Sequence, residues 1–339
     1  MIWLNKVHFG DCLETLRQMP DGIVNTCVTS PPYFGLRSYL PDGHDDKPLE
    51  IGTEETPDEF IANLVAVFRE VRRVLRDDGT LWVNIGDSYA AQRGGSTPPA
   101  ETLAGGIGGK GDDDAKRGRK DGYNPARNAS AIGLKHKDLI GIPWMLAFAL
   151  RADGWYLRQE IIWAKPNPMP ESVTDRCTKS HEQIFLLAKS PKYYFDAESI
   201  SEPFAHPEMQ AEARRRKDAG ELRSGRYMDM SGRNDAASYS GGVGFAGRET
   251  RNKRSVWTVS TKPYSGAHFA TFPPDLIEPC ILAGAPAGGV VLDPFMGSGT
   301  TAQVAQNLGR QWIGCELNSA YATLQNERTA QMGLMLDVA

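Results

Sequence analysis

The chain has 339 residues, 40% of them hydrophobic and 24% charged, which suffices to bury one large core and sets it apart from disordered chains. A net charge of −4 argues against a nucleic-acid partner met by the surface as a whole, so such a partner has to be met by local basic segments. Five scattered cysteines (Cys12, Cys27, Cys177, Cys280, Cys315) form no C-x-x-C pair, so neither a zinc site nor a disulfide framework is suggested, and a reduced cytoplasm is the simplest home.

No charged-then-apolar leader opens the chain, and the longest apolar run, Ile142 to Leu150, is too short to span a bilayer. Val7-His8-Phe9-Gly10-Asp11-Cys12 reads as a short strand and turn before an amphipathic segment with Leu13, Leu16 and Met19. Asp11 stands where a helix N-cap is expected. The β-branched run Ile23 to Val28 then reads as a buried strand that must stop at Pro31 and Pro32, since neither can extend a hydrogen-bond ladder.

That stop creates a rigid corner, Thr29-Ser30-Pro31-Pro32-Tyr33, at the carboxyl end of a strand. The prolines offer carbonyls and no N–H, Ser30 adds a hydroxyl acceptor, and Tyr33 supplies a plane for a flat ring. Such a corner suits an NH2 group on an aromatic base. It is equally compatible with a Pro-rich turn and a packed Tyr, so the rest of the chain has to decide.

Beyond an irregular acidic stretch to Glu55, Thr56-Pro57-Asp58-Glu59 is a helix start with a capping box. Its apolar face runs through Phe60, Leu64, Val67, Phe68, Val71, Val74 and Leu75, with a stop expected at Asp77-Asp78-Gly79. A strand from Thr80 to Ile85 follows and puts Asp87 on the same rim as the corner. Residues 93–137 turn to Gly, Asp, Lys, Arg and Asn and are expected to form a mobile loop able to order over phosphates.

An apolar helix is expected over Asp138–Leu150, then strands over Tyr156–Trp163 and Ile184–Ala188, with Trp163-Ala164-Lys165-Pro166 between them. Residues 201–254 form a second polar insertion with an excess of Lys and Arg, among them Arg214-Arg215-Arg216-Lys217. Arginine is the residue best suited to a guanine edge and also grips phosphates, so a nucleic-acid partner would be met here.

The deciding context is Gly288 to Thr301, where an apolar strand runs into Asp293, a Gly297-Ser298-Gly299 turn and a helical pattern. The glycines admit close approach of a ligand, and the helix N-terminus offers unpaired N–H groups. Glu316 ends the next strand, 19 positions after Gly297, near the offset at which a carboxylate reaches ribose hydroxyls. The segment lacks the lysine of a P-loop and the third glycine of a dinucleotide fingerprint. It favours an adenosine ligand without pyrophosphate, a description S-adenosylmethionine fits.

With both stretches in view, the chain resembles the amino-methyltransferases that act on DNA bases. In that family a D-P-F-x-G-S-G-T motif binds S-adenosylmethionine and an [S/D/N]-P-P-[Y/F/W] motif holds the amino group that receives the methyl. Both match here without a gap, at Asp293–Thr300 and Ser30–Tyr33, in the order of the permuted β group. The resemblance covers about residues 7–324. It implies one α/β catalytic domain over 1–339 with a Rossmann-like, mostly parallel sheet, helices on both faces and a circularly permuted motif order, the insertions lying within it and residues 201–254 standing where the family's DNA target-recognition region sits.

The resemblance also assigns roles. Ser30, Pro31, Pro32 and Tyr33 are the catalytic corner. Asp11 and Cys12 lie at the cofactor's adenine edge, Thr271 and Phe272 cup its methionine end, and Asp293, Phe295, Gly297, Ser298, Gly299, Thr300 and Glu316 complete its site. Trp163 and Lys165 line the target-base pocket, with core packing the competing role for Trp163. His268 need not be catalytic. No metal is implied.

An exocyclic amino nitrogen donates its lone pair into the ring, so the enzyme must hold it where that lone pair turns to the methyl donor. A stacked base cannot present this geometry, so flipping out of duplex DNA is required. In the family, Ser at the first motif position goes mainly with cytosine N4 and Asp with adenine N6, which favours N4-cytosine here and keeps N6-adenine as the alternative. An RNA or protein methyltransferase would share the corner, but protein-directed members mostly carry Asn in place of Ser30. A C5-cytosine enzyme would use a Pro-Cys nucleophile, and Pro279-Cys280 lies within a helix pattern. Expected partners are double-stranded DNA and a possible cognate restriction endonuclease, with the chain a monomer or homodimer and no membrane.

Overall fold

The computed structural model describes residues 2–36, 38–91, 129, 132–204, 207–219, 250–261 and 272–330. It divides into two compact units, Met1–Asp196 with Ser255–Ala339, and Ala197–Arg254. The second unit holds a two-stranded antiparallel ribbon, β6 (Glu202–Pro203) with β7 (Thr250–Arg251), and a helix, α4 (Pro207–Asp218). Within it Glu202 pairs with both Arg251 and Arg254, which holds its carboxyl below the usual range against the opposing effect of desolvation. Most of the expected sequence-reading insertion, residues 220–249, and most of the expected 93–137 loop lie outside the described residues.

The first unit is built on an eight-stranded sheet. Its strands in chain order are β1 (Lys6–Phe9), β2 (Val24–Thr29), β3 (Leu75–Ile85), β4 (Tyr156–Ala164), β5 (His181–Ala188), β8 (Val256–Thr258), β9 (Val290–Asp293) and β10 (Gln311–Glu316). They lie in the order β1-β10-β9-β2-β3-β5-β4-β8, parallel except where β5 runs antiparallel to both β3 and β4. The helices are α1 (Cys12–Gln18), α2 (Pro57–Val74), α3 (Ile142–Ala152), α5 (Pro274–Gly284), α6 (Thr300–Asn307) and α7 (Ala322–Ala330).

Strand alternation divides the helices between two faces. Leu81, Val83 and Ile85 join the cluster formed with Phe60, Leu64 and Phe68 of α2 and Leu146 and Leu150 of α3. The intervening Thr80 meets α5 instead: Gly284 lies so close that a Cβ there would stand 2.5 Å from Thr26 Oγ1 and 2.9 Å from Thr80 Oγ1. The fold is thus the mostly parallel, two-faced sheet expected.

Helix α2 begins as its sequence dictates, with Thr56 Oγ1 accepting from Glu59 N and Glu59 Oε2 accepting from Thr56 N. It ends at Val74, earlier than its apolar face suggested, and the chain passes directly into β3. Asp77, Asp78 and Gly79 therefore lie within the strand, where the pairing to β2 shifts between Val24↔Leu75 and Thr26↔Thr80. The carbonyls of Asp78 and Gly79 accept from Tyr194 and Lys189, which removes the need for a helix stop.

From β9 the chain proceeds through α6 to β10, while from β2 it proceeds through α2 to β3 on the other side. The connections diverge at the β9–β2 boundary, and such a divergence opens a crevice at the carboxyl ends of the two strands. Ser30 and Pro294 leave the sheet at that point, one from each strand. No helix among the described residues is long and apolar enough to cross a membrane.

Candidate active site

The crevice is a cleft of about 910 Å³, mouth included, between the β2 corner and the segment following β9. Of the expected cofactor residues, Asp11, Cys12, Phe272, Asp293, Phe295, Gly297, Ser298, Thr300 and Glu316 line it. Thr271 and His268 lie outside the described residues. Gly299 is not among the residues that line the cleft. It takes φ = +89° as the cap residue before α6, so its role is to turn the backbone into the helix.

Glu316 closes the far side of the cleft. Its Oε2 accepts from Gly297 N at 2.7 Å and its Oε1 from Asn318 N at 2.8 Å, leaving one lone pair on each oxygen for a ligand hydroxyl. Burial pushes its carboxyl up to about 7, in spite of those two bonds. Asp293 is used differently. Its Oδ1 accepts from Thr29 Oγ1 at 2.6 Å and Phe295 N at 3.0 Å, and its Oδ2 from Thr301 Oγ1 at 2.6 Å. The side chain therefore knits the two motifs together; desolvation raises it to about 6.

Asp11 caps α1, its Oδ1 accepting from Glu14 N at 2.8 Å, so the helix-cap role is realised at the cleft wall. Cys12 is pushed up to about 12 by burial and by Asp11 beside it, which leaves a thiol unsuited to nucleophilic attack. Cys280 is buried within α5, its Sγ directed at the Leu276 carbonyl, and does not line the cleft. The reading of Pro279-Cys280 as a nucleophile dipeptide has no support here.

The acidic stretch that read as irregular is part of the wall. Tyr39, Leu40, Glu50 and Ile51 line the cleft. Glu50 is buried and draws the stretch together, its Oε1 accepting from Tyr39 N and Leu40 N, its Oε2 from Ser38 Oγ. Asn318 donates to the Tyr39 carbonyl at 3.0 Å and joins this wall to the end of β10. No periodic signal marks these residues, because their bonds run from one side chain to backbone amides in a loop.

The Ser30–Tyr33 corner, expected to be catalytic, has two sides. Ser30 and Pro32 line the cofactor cleft, whereas Pro31 is buried and Tyr33 turns away from it. The Tyr33 ring rests on Gly86, where any Cβ would come within 2.6 Å of Cε2, and its hydroxyl donates to Glu182 Oε2 at 2.6 Å. Asn84 Nδ2 donates to the same oxygen at 3.2 Å, and Lys165 Nζ pairs with Oε1. Burial opposes ionisation of Glu182, but Lys165 and the bonds from Tyr33 and Asn84 outweigh it and hold the carboxyl below the usual range. Burial, with Glu182 beside it, raises the Tyr33 hydroxyl well above its ordinary value.

Lys165 and Trp163 are not at the cofactor cleft. Trp163 is buried, donates to the Val259 carbonyl at 2.7 Å, and carries the Lys165 ammonium 4.3 Å above its ring. Its indole packs and steadies Lys165. Asp87, expected on the rim, caps α3 by accepting from Gly141 N at 3.0 Å and Ile142 N at 3.1 Å. Sequence reasoning missed Asn84, a polar member of the expected Thr80–Ile85 strand, and Glu182, which lies just ahead of the strand expected over Ile184–Ala188 and within the longer β5.

The corner expected to hold an amino group and the cleft expected to take an adenosine ligand thus share a wall, formed by Ser30 and Pro32. A family model of DNA methylases matches residues 24–327. The chain belongs to this N6/N4 DNA methylase family. The methylase is 45% identical over 323 residues to the Type II methyltransferase M.SmaI of Serratia marcescens, covering 95% of this chain and 90% of that one. It is 46% identical over 325 residues to the Type II methyltransferase M.Cfr9I of Citrobacter freundii, covering 94% and 85%. In fold it is similar to the PvuII DNA methyltransferase (cytosine-N4-specific), with a TM-score of 0.57 at 16% identity, covering 98% of this chain and 88% of that one. It is also similar to a proposed DNA modification methylase from Thermus thermophilus complexed with S-adenosyl-L-methionine, with a TM-score of 0.53 at 23% identity, covering 96% and 93%.

The cofactor of the methylase is S-adenosylmethionine. The cleft fits it. Glu316 keeps acceptor capacity for ribose hydroxyls, Phe295 and Ile51 supply apolar walls, and Ser298 Oγ, buried in the wall, has no hydrogen-bond partner among the described residues.

Proposed function

We propose that the methylase transfers a methyl group from S-adenosylmethionine to the exocyclic N4 amino group of cytosine at a specific site in duplex DNA. The observation that carries this reading is the shared wall. Ser30 and Pro32, of the corner suited to an NH2 group, line the same cleft as Glu316, Phe295 and Gly297.

When bound, the cofactor supplies an electrophilic methyl on a sulfonium. The chain's own residues prepare the nucleophile. The Ser30 hydroxyl and the Pro31 carbonyl accept the two N–H groups of a flipped cytosine and draw the nitrogen lone pair out of the ring plane. Tyr33, seated on Gly86, offers its open side for stacking, and Lys165 serves as a polar contact for the flipped nucleotide. Around the cofactor, Glu316 takes the ribose hydroxyls, Phe272 cups the methionine end, and Asp11 with Cys12 borders the adenine edge.

The choice of cytosine rests on Ser30, which in the resembling family goes mainly with N4 of cytosine. Sequence reading belongs in this proposal to residues 201–254, whose basic excess suits guanine edges and phosphates. The Type II designation of relatives covering 94–95% of the chain supports pairing with a cognate restriction endonuclease.

The test is to incubate the purified protein with mixed-sequence duplex DNA and methyl-labelled S-adenosylmethionine, digest to nucleosides and identify the labelled product by mass. N4-methylcytosine is the expected product. N6-methyladenine overturns the base assignment and leaves the mechanism, while label in no nucleoside overturns the DNA substrate.

A further inference from the structure

Glu182 lies in β5, far in sequence from both motifs, yet its carboxylate gathers three side chains at the back of the catalytic corner. Tyr33 donates to Oε2 at 2.6 Å, Asn84 donates to the same oxygen at 3.2 Å, and Lys165 pairs with Oε1. All three partners reach it from different segments: the corner after β2, the end of β3 and the end of β4.

A carboxylate–ammonium pair with its two side chains only 14% and 19% exposed loses much of its Coulombic gain to desolvation, so it is a weak way to stabilise a fold. What such a pair provides is a fixed acceptor at a fixed place. Here the acceptor meets the hydroxyl at the tip of the Tyr33 ring and so holds the ring's long axis, while Gly86 lies against its face. With Gly86 against the ring and the hydroxyl held by a short, charge-assisted bond, the plane of Tyr33 is set before any base arrives.

We infer that Glu182 is a positioning residue for methyl transfer: through the Tyr33 hydroxyl it fixes the plane on which the target base rests against Ser30 and Pro31. The inference rests on the function proposed above. It goes beyond it by naming a residue that does not line the cofactor cleft and acts on the target base through the groups it holds, Tyr33 first among them. Loss of the fixed plane lets the amino nitrogen drift from its line to the methyl, and a displacement of about 1 Å is enough to cost on the order of a hundredfold in rate.

The experiment is a double-mutant cycle on the full chain with Glu182→Ala and Tyr33→Phe, reading kcat, KM for duplex DNA and the Kd of S-adenosylmethionine. Each single variant is expected to lower kcat by about tenfold or more, with KM and Kd within about threefold of the parent. The double variant is expected to fall no more than about threefold below the worse single, because both remove the same link. Multiplying effects, or a cofactor Kd that weakens in step with kcat, overturn the inference.

Should Glu182→Ala not fold, Glu182→Gln keeps an acceptor for the Tyr33 hydroxyl. It is expected to retain kcat within about threefold while Tyr33→Phe still loses about tenfold. A Tyr33→Phe enzyme at parental kcat sinks the idea. Failure of the parent protein to methylate DNA is a different result and overturns the proposed function.

Discussion

The Thr29 hydroxyl donates to Asp293 Oδ1 at 2.6 Å, joining residues 264 positions apart in the chain. Thr29 is the last residue of β2 and Asp293 the last of β9, and each is followed at once by one of the two motifs. One buried hydrogen bond therefore ties the two segments together just beyond the last paired residues of the strands, Cys27 and Leu292. Thr29→Val keeps the shape and removes the donor, leaving Oδ1 with the Phe295 amide alone. The expected cost is about 1–3 kcal/mol of stability, seen as a lower Tm, together with weaker S-adenosylmethionine binding in a titration. Unchanged binding would show that the two motifs hold their spacing without this bond.

Glu316 gives the cofactor site a pH dependence. Burial raises its carboxyl to about 7 from an ordinary 4.5. The sign follows from that direction: the folded chain favours the protonated form, so the stability this group contributes is full below about 4.5 and is lost as pH rises through about 7. Binding has the opposite trend, because the ionised group accepts ribose hydroxyls more strongly. Cofactor affinity measured by calorimetry is expected to increase between pH 6 and pH 8, by up to about tenfold for one linked proton over a tenfold change in proton concentration. Glu316→Gln is expected to bind more weakly and to flatten that slope.

Much of this arrangement was legible in the sequence because its signals are local. The capping box at Thr56 and Glu59, the Pro-Pro stop after β2 and the Gly-x-Gly turn after β9 each specify a backbone conformation within four or five residues. What was not legible depends on partners distant in the chain. Asp293 read as a ligand contact, and only the fold shows that its oxygens also accept from Thr29 and Thr301 while it lines the cleft. Asp87 looked like a rim residue, and only the position of α3 shows it capping Gly141 and Ile142. Glu50 and Glu182 gave no signal at all. A lone carboxylate in a loop or strand is uninformative until the donors that surround it are known.

Glu50 supports the near wall of the cleft. Its side chain is buried and binds the amides of Tyr39 and Leu40, two residues that line the site. Glu50→Ala leaves those amides unpaired, and the wall is expected to loosen. The prediction is a rise in the Kd of S-adenosylmethionine of about tenfold, with kcat at saturating cofactor within about threefold of the parent. Equilibrium titration followed by steady-state kinetics separates the two. A fall in kcat with Kd unchanged would place Glu50 in the transfer step instead.

Gly86 makes the opposite kind of test, because its effect has to appear in the rate and not in cofactor binding. It follows β3 directly and lies under the Tyr33 ring, with no room for even a methyl group, since a Cβ would stand 2.6 Å from Cε2 and 3.3 Å from Cζ. With its hydroxyl held by Glu182 the ring's long axis cannot swing aside, so the ring must turn about that axis or be pushed outward, and either change disturbs its plane. Gly86→Ala therefore has to alter the plane that a flipped base would meet. The expected outcome is a kcat lowered by at least about tenfold, with the Kd of S-adenosylmethionine within about threefold of the parent, since the cleft lined by Glu316 and Phe295 lies on the other side of the corner. Parental kcat in Gly86→Ala would mean that the plane of Tyr33 does not matter to the transfer, and stacking on it would have to be abandoned.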